Sequence, residues 1–214
     1  MKGDILIIDD NHRKAGKQVA DLILNDIKNN KKKFVITVAG ESGAGKSETA
    51  FSIAEVLEKE NLKCFIFGQD DYFVYPPKTN AAQREKDINW VGMQEVKLDL
   101  LDQNLIDVLE GKTKLTKPLV DFDADKIGEE TVDLKDYDVL IAEGTYTTSL
   151  KNADCRVFIN RNKMDTIESR KKRAREAQDE FLDRILTIEH EIISKHKALA
   201  DIVISKEWEA ASVN

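Results

Sequence analysis

Apolar residues in this chain fall into short unbroken runs, separated by longer stretches in which they recur every three or four positions. The runs lie within residues 4–8, 34–39, 63–67, 138–142, 156–159 and 201–204, each range holding a single polar residue. Runs of this length, bounded by polar or glycine-containing segments, predict buried strands. Between them, Val19, Leu22, Ile23 and Ile27 share one face of a helix over 12–30. Residues 48–60 read as a second helix, and 94–110 as a third with leucines and isoleucines at helical spacing. Residues 163–200 read as strongly helical, with a break near Ala177 and Gln178. Residues 74–92, with Pro76 and Pro77, read as irregular, and 118–123 as an edge strand or hairpin. Short apolar strands alternating with helices predict an α/β fold, a mainly parallel sheet covered by helices on both faces.

Length and composition add that 214 residues are enough for one domain with a sizeable core. A net charge of −7, from 33 basic and 40 acidic side chains, argues against nucleic acid or an anionic membrane as partner. No apolar run approaches the roughly 18 residues of a membrane span. The first ten residues lack the long uncharged segment of a secretory signal. Cys64 and Cys155 sit in apolar, strand-like contexts, which predicts buried free thiols and a reducing, cytoplasmic setting. Two cysteines and three scattered histidines form no zinc pattern.

The chemistry is carried first by Gly40-Glu41-Ser42-Gly43-Ala44-Gly45-Lys46-Ser47, which fits G-x-x-x-x-G-K-[ST]. A buried strand precedes it and a helix starting at Glu48 follows, the setting a phosphate-binding loop requires. Glycines let successive backbone N–H groups face one anion, and the helix adds its positive dipole end. Lys46 reaches the β- and γ-phosphates and Ser47 binds magnesium in such a loop, so residues 40–48 are the expected ATP site. Two other strands end in acids, one in Asp70-Asp71 and one in Glu143-Gly144. Ligands of parallel sheets bind beyond the carboxyl ends of the strands. If these strands are neighbours, the cradle and both carboxylate sites converge, the set that phosphoryl transfer needs. The bland readings are a solvated turn for Asp70 and Asp71 and a helix cap for Glu143. Arg161, Arg170, Lys171, Lys172, Arg173 and Arg175 form a basic cluster in an acidic protein. It is either a solvated face or a lid in which Arg170 and Arg173, three apart, reach phosphates.

From about residue 34 to about residue 205 the chain resembles the uridine kinase-like branch of the P-loop kinases, which includes phosphoribulokinases and bacterial pantothenate kinases. The P-loop is the first shared element. Asp70-Asp71-Tyr72-Phe73 matches the family's Asp-x-[FY]-[FY] segment, and Ile141-Ala142-Glu143-Gly144 its [VL]-x-Glu-Gly strand end. Ser169 to Arg173 looks like the lid helix, and Ala200-Asp201-Ile202-Val203-Ile204 the final strand. The resemblance implies a P-loop NTPase fold with a small helical lid. It divides the chain into residues 1–33, a strand–helix extension packed on the core, and 34–214, a P-loop kinase domain. It implies ATP-dependent transfer of the γ-phosphoryl group to a hydroxyl of a small metabolite. Asp70 would be the base toward that hydroxyl. Ser47, Glu143 and Asp70 would lie near magnesium, and Lys46, Arg170 and Arg173 against the phosphates. Tyr72, Asn89, Trp90 and Asp121 are the expected acceptor contacts.

The acceptor side departs from the uridine kinase pattern. Asn89-Trp90-Val91 stands where that pattern has Asp-His-Pro, and Val120 and Asp125 stand where Pro-x-Tyr-Asp-x-x-x-His has its Tyr and His. Uridine and cytidine are therefore expected to be poor acceptors. A regulatory NTPase and an interaction protein on a degenerate scaffold stay open as alternatives. Intact Lys46, Ser47, Asp70 and Glu143 speak against the latter. Residues 1–33 supply either an added strand and helix or a contact with a second copy of the chain.

Overall fold

The structure, a computed structural model, describes residues 1–3, 6–173 and 179–213, with only the backbone of Lys172 and Arg173. Six strands form the main sheet: β1 (Phe34–Gly40), β2 (Cys64–Gly68), β5 (Val139–Glu143), β6 (Cys155–Ile159), β7 (Ile202–Ile204) and β8 (Ala210–Ser212). Their order is β2-β5-β1-β6-β7-β8, parallel except for β8 against β7. Every residue of β1 is buried, because helices cover both faces of the sheet. This is why it reads as a nearly continuous apolar run, interrupted only by Thr37, rather than an alternating one.

The two cores follow the pleat. Ile36 and Val38 point into one cluster, with α1 (Asp10–Asn29) and α2 (Lys46–Lys59); Val35 and Ala39 point into the other, with α4 (Leu98–Leu109). α1 buries Ala15, Val19, Ala20, Ile23 and Ile27. It is started by Asp9, whose carboxylate accepts from the N–H groups of Asn11 and His12. Helix α1 begins two residues before the expected start, while residues 6–9 carry no regular structure. The strand expected at 4–8 is therefore not found at 6–8, and Asp4 and Ile5 lie outside the described residues. Cys64 and Cys155 are both buried and free. Among the described residues, no helix is long and apolar enough to cross a membrane.

Other expectations are corrected. Residues 74–92 are not wholly irregular: α3 (Pro77–Lys86) lies there, with Pro77 in its first turn. It buries only Asn80, so it has no apolar stripe to read. The segment expected at 118–123 belongs to β3 (Lys114–Asp121), which pairs with β4 (Lys126–Asp133) as a separate antiparallel hairpin. The third helix starts only at Leu98, after a short turn at Met93–Glu95. The long helical stretch divides into α5 (Ile167–Arg173) and α6 (Glu180–Ile193), and the expected break at Ala177 and Gln178 lies outside the described residues.

Candidate active site

Register places the three chemical strand ends side by side. β5 lies between β2 and β1, so Glu143 pairs with Gly68 on one side and Val38 on the other. The P-loop leaves β1 immediately beyond. Gly43 and Gly45 take φ of 76° and 92°, a left-handed backbone that favours glycine. There is also no room for a side chain. A Cβ on Gly45 would lie 2.6 Å from His12 Nε2, and one on Gly43 2.8 Å from the Cγ of Arg170. Gly45 starts α2 with no side-chain cap, so the first turn presents its N–H groups to the loop's concave side. The Lys46 ammonium donates to the Glu41 carbonyl at 3.0 Å. These residues fit a polyphosphate.

Ser47 donates a hydrogen bond to Glu143. Burial first, and then the charge of Asp70, push the Glu143 carboxyl up to about 7, against the opposing pull of Lys46 and Ser47. Two carboxylates and a hydroxyl this close suit a divalent cation, which would hold Glu143 ionised. Asp70 sits on the turn Gln69–Tyr72 after β2 and lines the same cavity as Lys46, Ser47 and Glu143. Asp71 does other work. Its carboxylate accepts from the Val120 N–H at 3.0 Å and from the buried Lys117 ammonium at 3.1 Å, fastening the β3–β4 hairpin to the turn. Lys117 also pairs with Glu130 at 2.7 Å.

The cavity has a volume of about 230 Å³. Beyond the P-loop its apolar wall includes Phe73, Phe122, Leu182, Ile185 and Leu186, and its polar wall Asn80, Arg84 and Glu189. Arg84 is anchored on Glu95, buried to 1% exposure, through its Nε and through Nη2 at 3.0 Å. Arg84 Nη2 also lies 3.4 Å from Glu189 on α6. Asn80 donates to Glu95 at 2.9 Å and accepts from the Trp90 indole N–H at 2.8 Å. Arg84, Glu189 and Asn80 went unread in the sequence. They come from α3 and α6, far apart in the chain, and neither periodicity nor a motif links them.

Several expected acceptor contacts lie elsewhere. Tyr72 is fully buried, and its hydroxyl donates to Asn104 at 2.9 Å under α4, so it belongs to the core. Asp121 pairs with Lys2 at 2.9 Å and accepts from the Ala124 N–H in the hairpin turn. Asn89 is exposed and bonds its neighbour Asp87, and Trp90 packs 5.4 Å from Tyr75. None of the four lines the cavity. Val120 is fully buried, and Asp125 caps α3, accepting from the Lys78 N–H at 2.7 Å and the Thr79 hydroxyl at 2.8 Å.

On the lid side, Arg170 packs on Gly43 and donates to the Lys163 carbonyl at 2.9 Å. The Arg173 side chain and Arg175 lie outside the described residues. Arg161 stacks over Trp208 at 4.6 Å, on a ring that itself lies against Gly45 of the P-loop. Glu41 and Glu48 are both buried. The Glu41 carboxylate meets His190 of α6 at 2.5 Å, a contact between the P-loop and α6 that no sequence pattern signals.

Comparison with known proteins gives the family and the fold. The pattern of the "Phosphoribulokinase / Uridine kinase family" matches residues 35–181. A bifunctional alpha-galactosidase/sucrose kinase of Mediterraneibacter gnavus is 25% identical over 193 residues, 84% of this chain but only 21% of that protein. A uridine kinase of Ureaplasma parvum is 26% identical over 163 residues, 74% of this chain and 77% of its own. The solved structure of a "Possible Uridine Kinase" from Bacillus stearothermophilus superposes with a TM-score of 0.65 at 20% identity, covering 89% of this chain and 97% of the other.

Proposed function

The chain belongs to the phosphoribulokinase/uridine kinase family, and from that premise we propose how it works as an ATP-dependent phosphotransferase on the hydroxyl of a small metabolite. The single observation that supports the reading best is the shared cavity. Lys46, Ser47, Asp70 and Glu143 open into one space whose remaining wall is made by α3, α6 and the hairpin turn.

Each residue then has a task. The P-loop N–H groups and Lys46 hold the triphosphate, and Lys46 offsets charge that develops on the transferred group. Ser47 and Glu143 would hold magnesium, which would supply positive charge against the phosphates. Asp70 accepts the proton that leaves the acceptor hydroxyl as its oxygen attacks phosphorus. Arg170, resting on Gly43, supplies a guanidinium beside the phosphates. Apolar side chains on α6 (Leu182, Ile185 and Leu186) exclude water that would otherwise compete as acceptor.

Uridine is the acceptor named for several relatives. Here Val120 is core and Asp125 is committed to α3, so neither reads a pyrimidine. Uridine and cytidine are expected to give kcat/KM below ~10⁴ M⁻¹s⁻¹, the lower end of ordinary enzymes. Screening hydroxyl-bearing metabolites with Mg-ATP, by ADP release and by the phosphorylated product, tests the activity. Asp70→Asn should cut transfer roughly 10²–10⁴-fold with nucleotide affinity nearly unchanged. Loss of ATP binding instead would make Asp70 a metal or structural residue.

A further inference from the structure

Resting on the kinase reading above, we infer that the segment before β1 completes the nucleotide site: Glu48 and His12 hold the ribose hydroxyls of the phosphoryl donor, so that the protein selects a ribonucleotide. A second cavity touches the P-loop and shares no lining residue with the first. Ser42, Lys46 and Ser47 line the first. Gly43, Gly45 and Glu48 line the second, together with Ile7, Asp9 and His12 from the N-terminal segment. A triphosphate whose transferred end lies at Lys46, Asp70 and Glu143 rests its α- and β-phosphates on the loop. Its nucleoside then leaves the loop away from the first cavity, and the second cavity is the space there.

Two polar groups in that space lack partners. Glu48 is 7% exposed and His12 8%. Among the described residues, nothing hydrogen-bonds to the Glu48 carboxylate or to Nε2 of His12. The other ring nitrogen is taken: Nδ1 accepts from the Asp9 N–H at 3.1 Å, closing the capping box of α1. A neutral ring bonded in this way carries its proton on Nε2. Burial keeps it neutral, pulling the imidazole below its usual pKa against the charges of Asp9 and Glu48. Nε2 lies on the loop itself, 2.6 Å from where Gly45 would carry a Cβ. A carboxylate this deep without a donor is costly to keep, and a ligand that supplies the donor removes that cost.

The pair selects the chemistry of what binds. An ionised carboxylate only accepts hydrogen bonds and an Nε2–H only donates, whereas a hydroxyl does both. Neighbouring hydroxyls can therefore donate to Glu48 and accept from His12. An anion is disfavoured, because Asp9 and Glu48 bring two negative charges to the same cavity, so phosphate stays on the N–H groups of the loop. The cavity has a volume of about 80 Å³, under three times the roughly 30 Å³ that one water occupies in the liquid. That admits the hydroxyl edge of a sugar and not a purine ring. A nucleotide has one such edge, the 2′- and 3′-hydroxyls of its ribose. Trp208 meets the His12 ring edge-on at 4.6 Å and the capping box holds its other side, so the donor is ordered before the nucleotide arrives.

The test measures the binding of Mg-ATP, Mg-2′-deoxy-ATP and Mg-3′-deoxy-ATP to the full chain by titration calorimetry, with no acceptor present. ATP is expected to bind roughly 10–100-fold more tightly than at least one deoxy form, the range for a hydrogen bond to a charged group. Glu48→Gln should bring the three affinities within about threefold of one another. His12→Gln, which keeps a glutamine at the capping position, should shrink the same ratio. The ratio is the readout, because removing a negative charge beside the phosphates tightens all three forms alike. Equal binding of the three by the wild type overturns the inference and leaves the kinase reading standing. So does a preference for ATP that survives both substitutions, since the ribose is then read elsewhere. Failure to bind any of the three overturns the kinase reading, and this one with it. Should Glu48→Gln fail to fold, the wild-type series and His12→Gln decide.

Discussion

At Glu143, burial and the neighbouring charge of Asp70 place the carboxyl near 7 in the folded chain, against about 4.3 in an unfolded one. A raised carboxylate pKa favours the folded state fully below the unfolded value and stops doing so as pH rises through the folded one. Without divalent cations the wild type should therefore lose stability between about pH 4.5 and 7.5. Glu143→Gln removes that slope. Its unfolding free energy relative to wild type should improve by on the order of 2 kcal/mol from pH 5 to pH 8.5. Parallel pH profiles of chemical denaturation would show it, and identical slopes would mean that Asp70 and Glu143 do not share a dry site. At Tyr72 the expectation is the opposite of the motif's. Tyr72→Phe should cost roughly 1 kcal/mol by unpairing Asn104 and leave the steady-state constants alone. A changed acceptor KM in a stably folded variant would return Tyr72 to the pocket. The distinction was illegible in sequence. Asp-x-[FY]-[FY] identifies aromatic residues, but only the turn after β2 decides which of them lies under α4 and which, Phe73, faces the cavity.

Among the elements, α6 touches both halves of the site through consecutive residues. Glu189 lies against Arg84, and His190 against Glu41 in the P-loop. Removing the second contact should loosen the loop that holds the nucleotide. His190→Ala is expected to raise the KM for ATP roughly 3–10-fold, the worth of one hydrogen bond. The acceptor KM should move less. An unchanged ATP KM would show that the contact is not made in solution. α3 depends on a neighbour too, since Asp125 caps it from the hairpin turn. The sequence made β1, α2 and β5 legible because burial on both faces or at a motif leaves a local trace. It left α3 and β4 unread because their contacts are polar or solvent-facing. The wall built by α3 and α6 was invisible for the same reason: Arg84 and Glu189 are ordinary charged residues until the fold brings them within 3.4 Å.

For the whole molecule, the rule that ligands gather beyond the carboxyl ends of parallel strands converges the P-loop, Asp70 and Glu143 on condition that their strands are neighbours, and the order β2-β5-β1 supplies that condition. The rule is silent about residues outside the motif-bearing strands. There α1 packs on α2, with Gly16 against Ser52 and Ile53, and joins it in one apolar cluster with the sheet. A chain lacking residues 1–33 should lose its cooperative thermal transition and aggregate, because that apolar cluster meets water. A sharp transition near the wild-type midpoint would make the segment dispensable. The same helix brings His12 edge-on to Trp208, with ring centroids 4.6 Å apart, and both stand within 3 Å of where Gly45 would carry a side chain. A segment before β1 and a segment after β7 thus close on one loop. On the ribosome, β1 and the P-loop emerge long before Trp208. A nascent chain stalled ahead of Trp208 carries the whole nucleotide motif and should still fail to protect it from proteolysis when ATP is added. Synthesis would then give this protein its hold on nucleotide at the end rather than when the motif first appears.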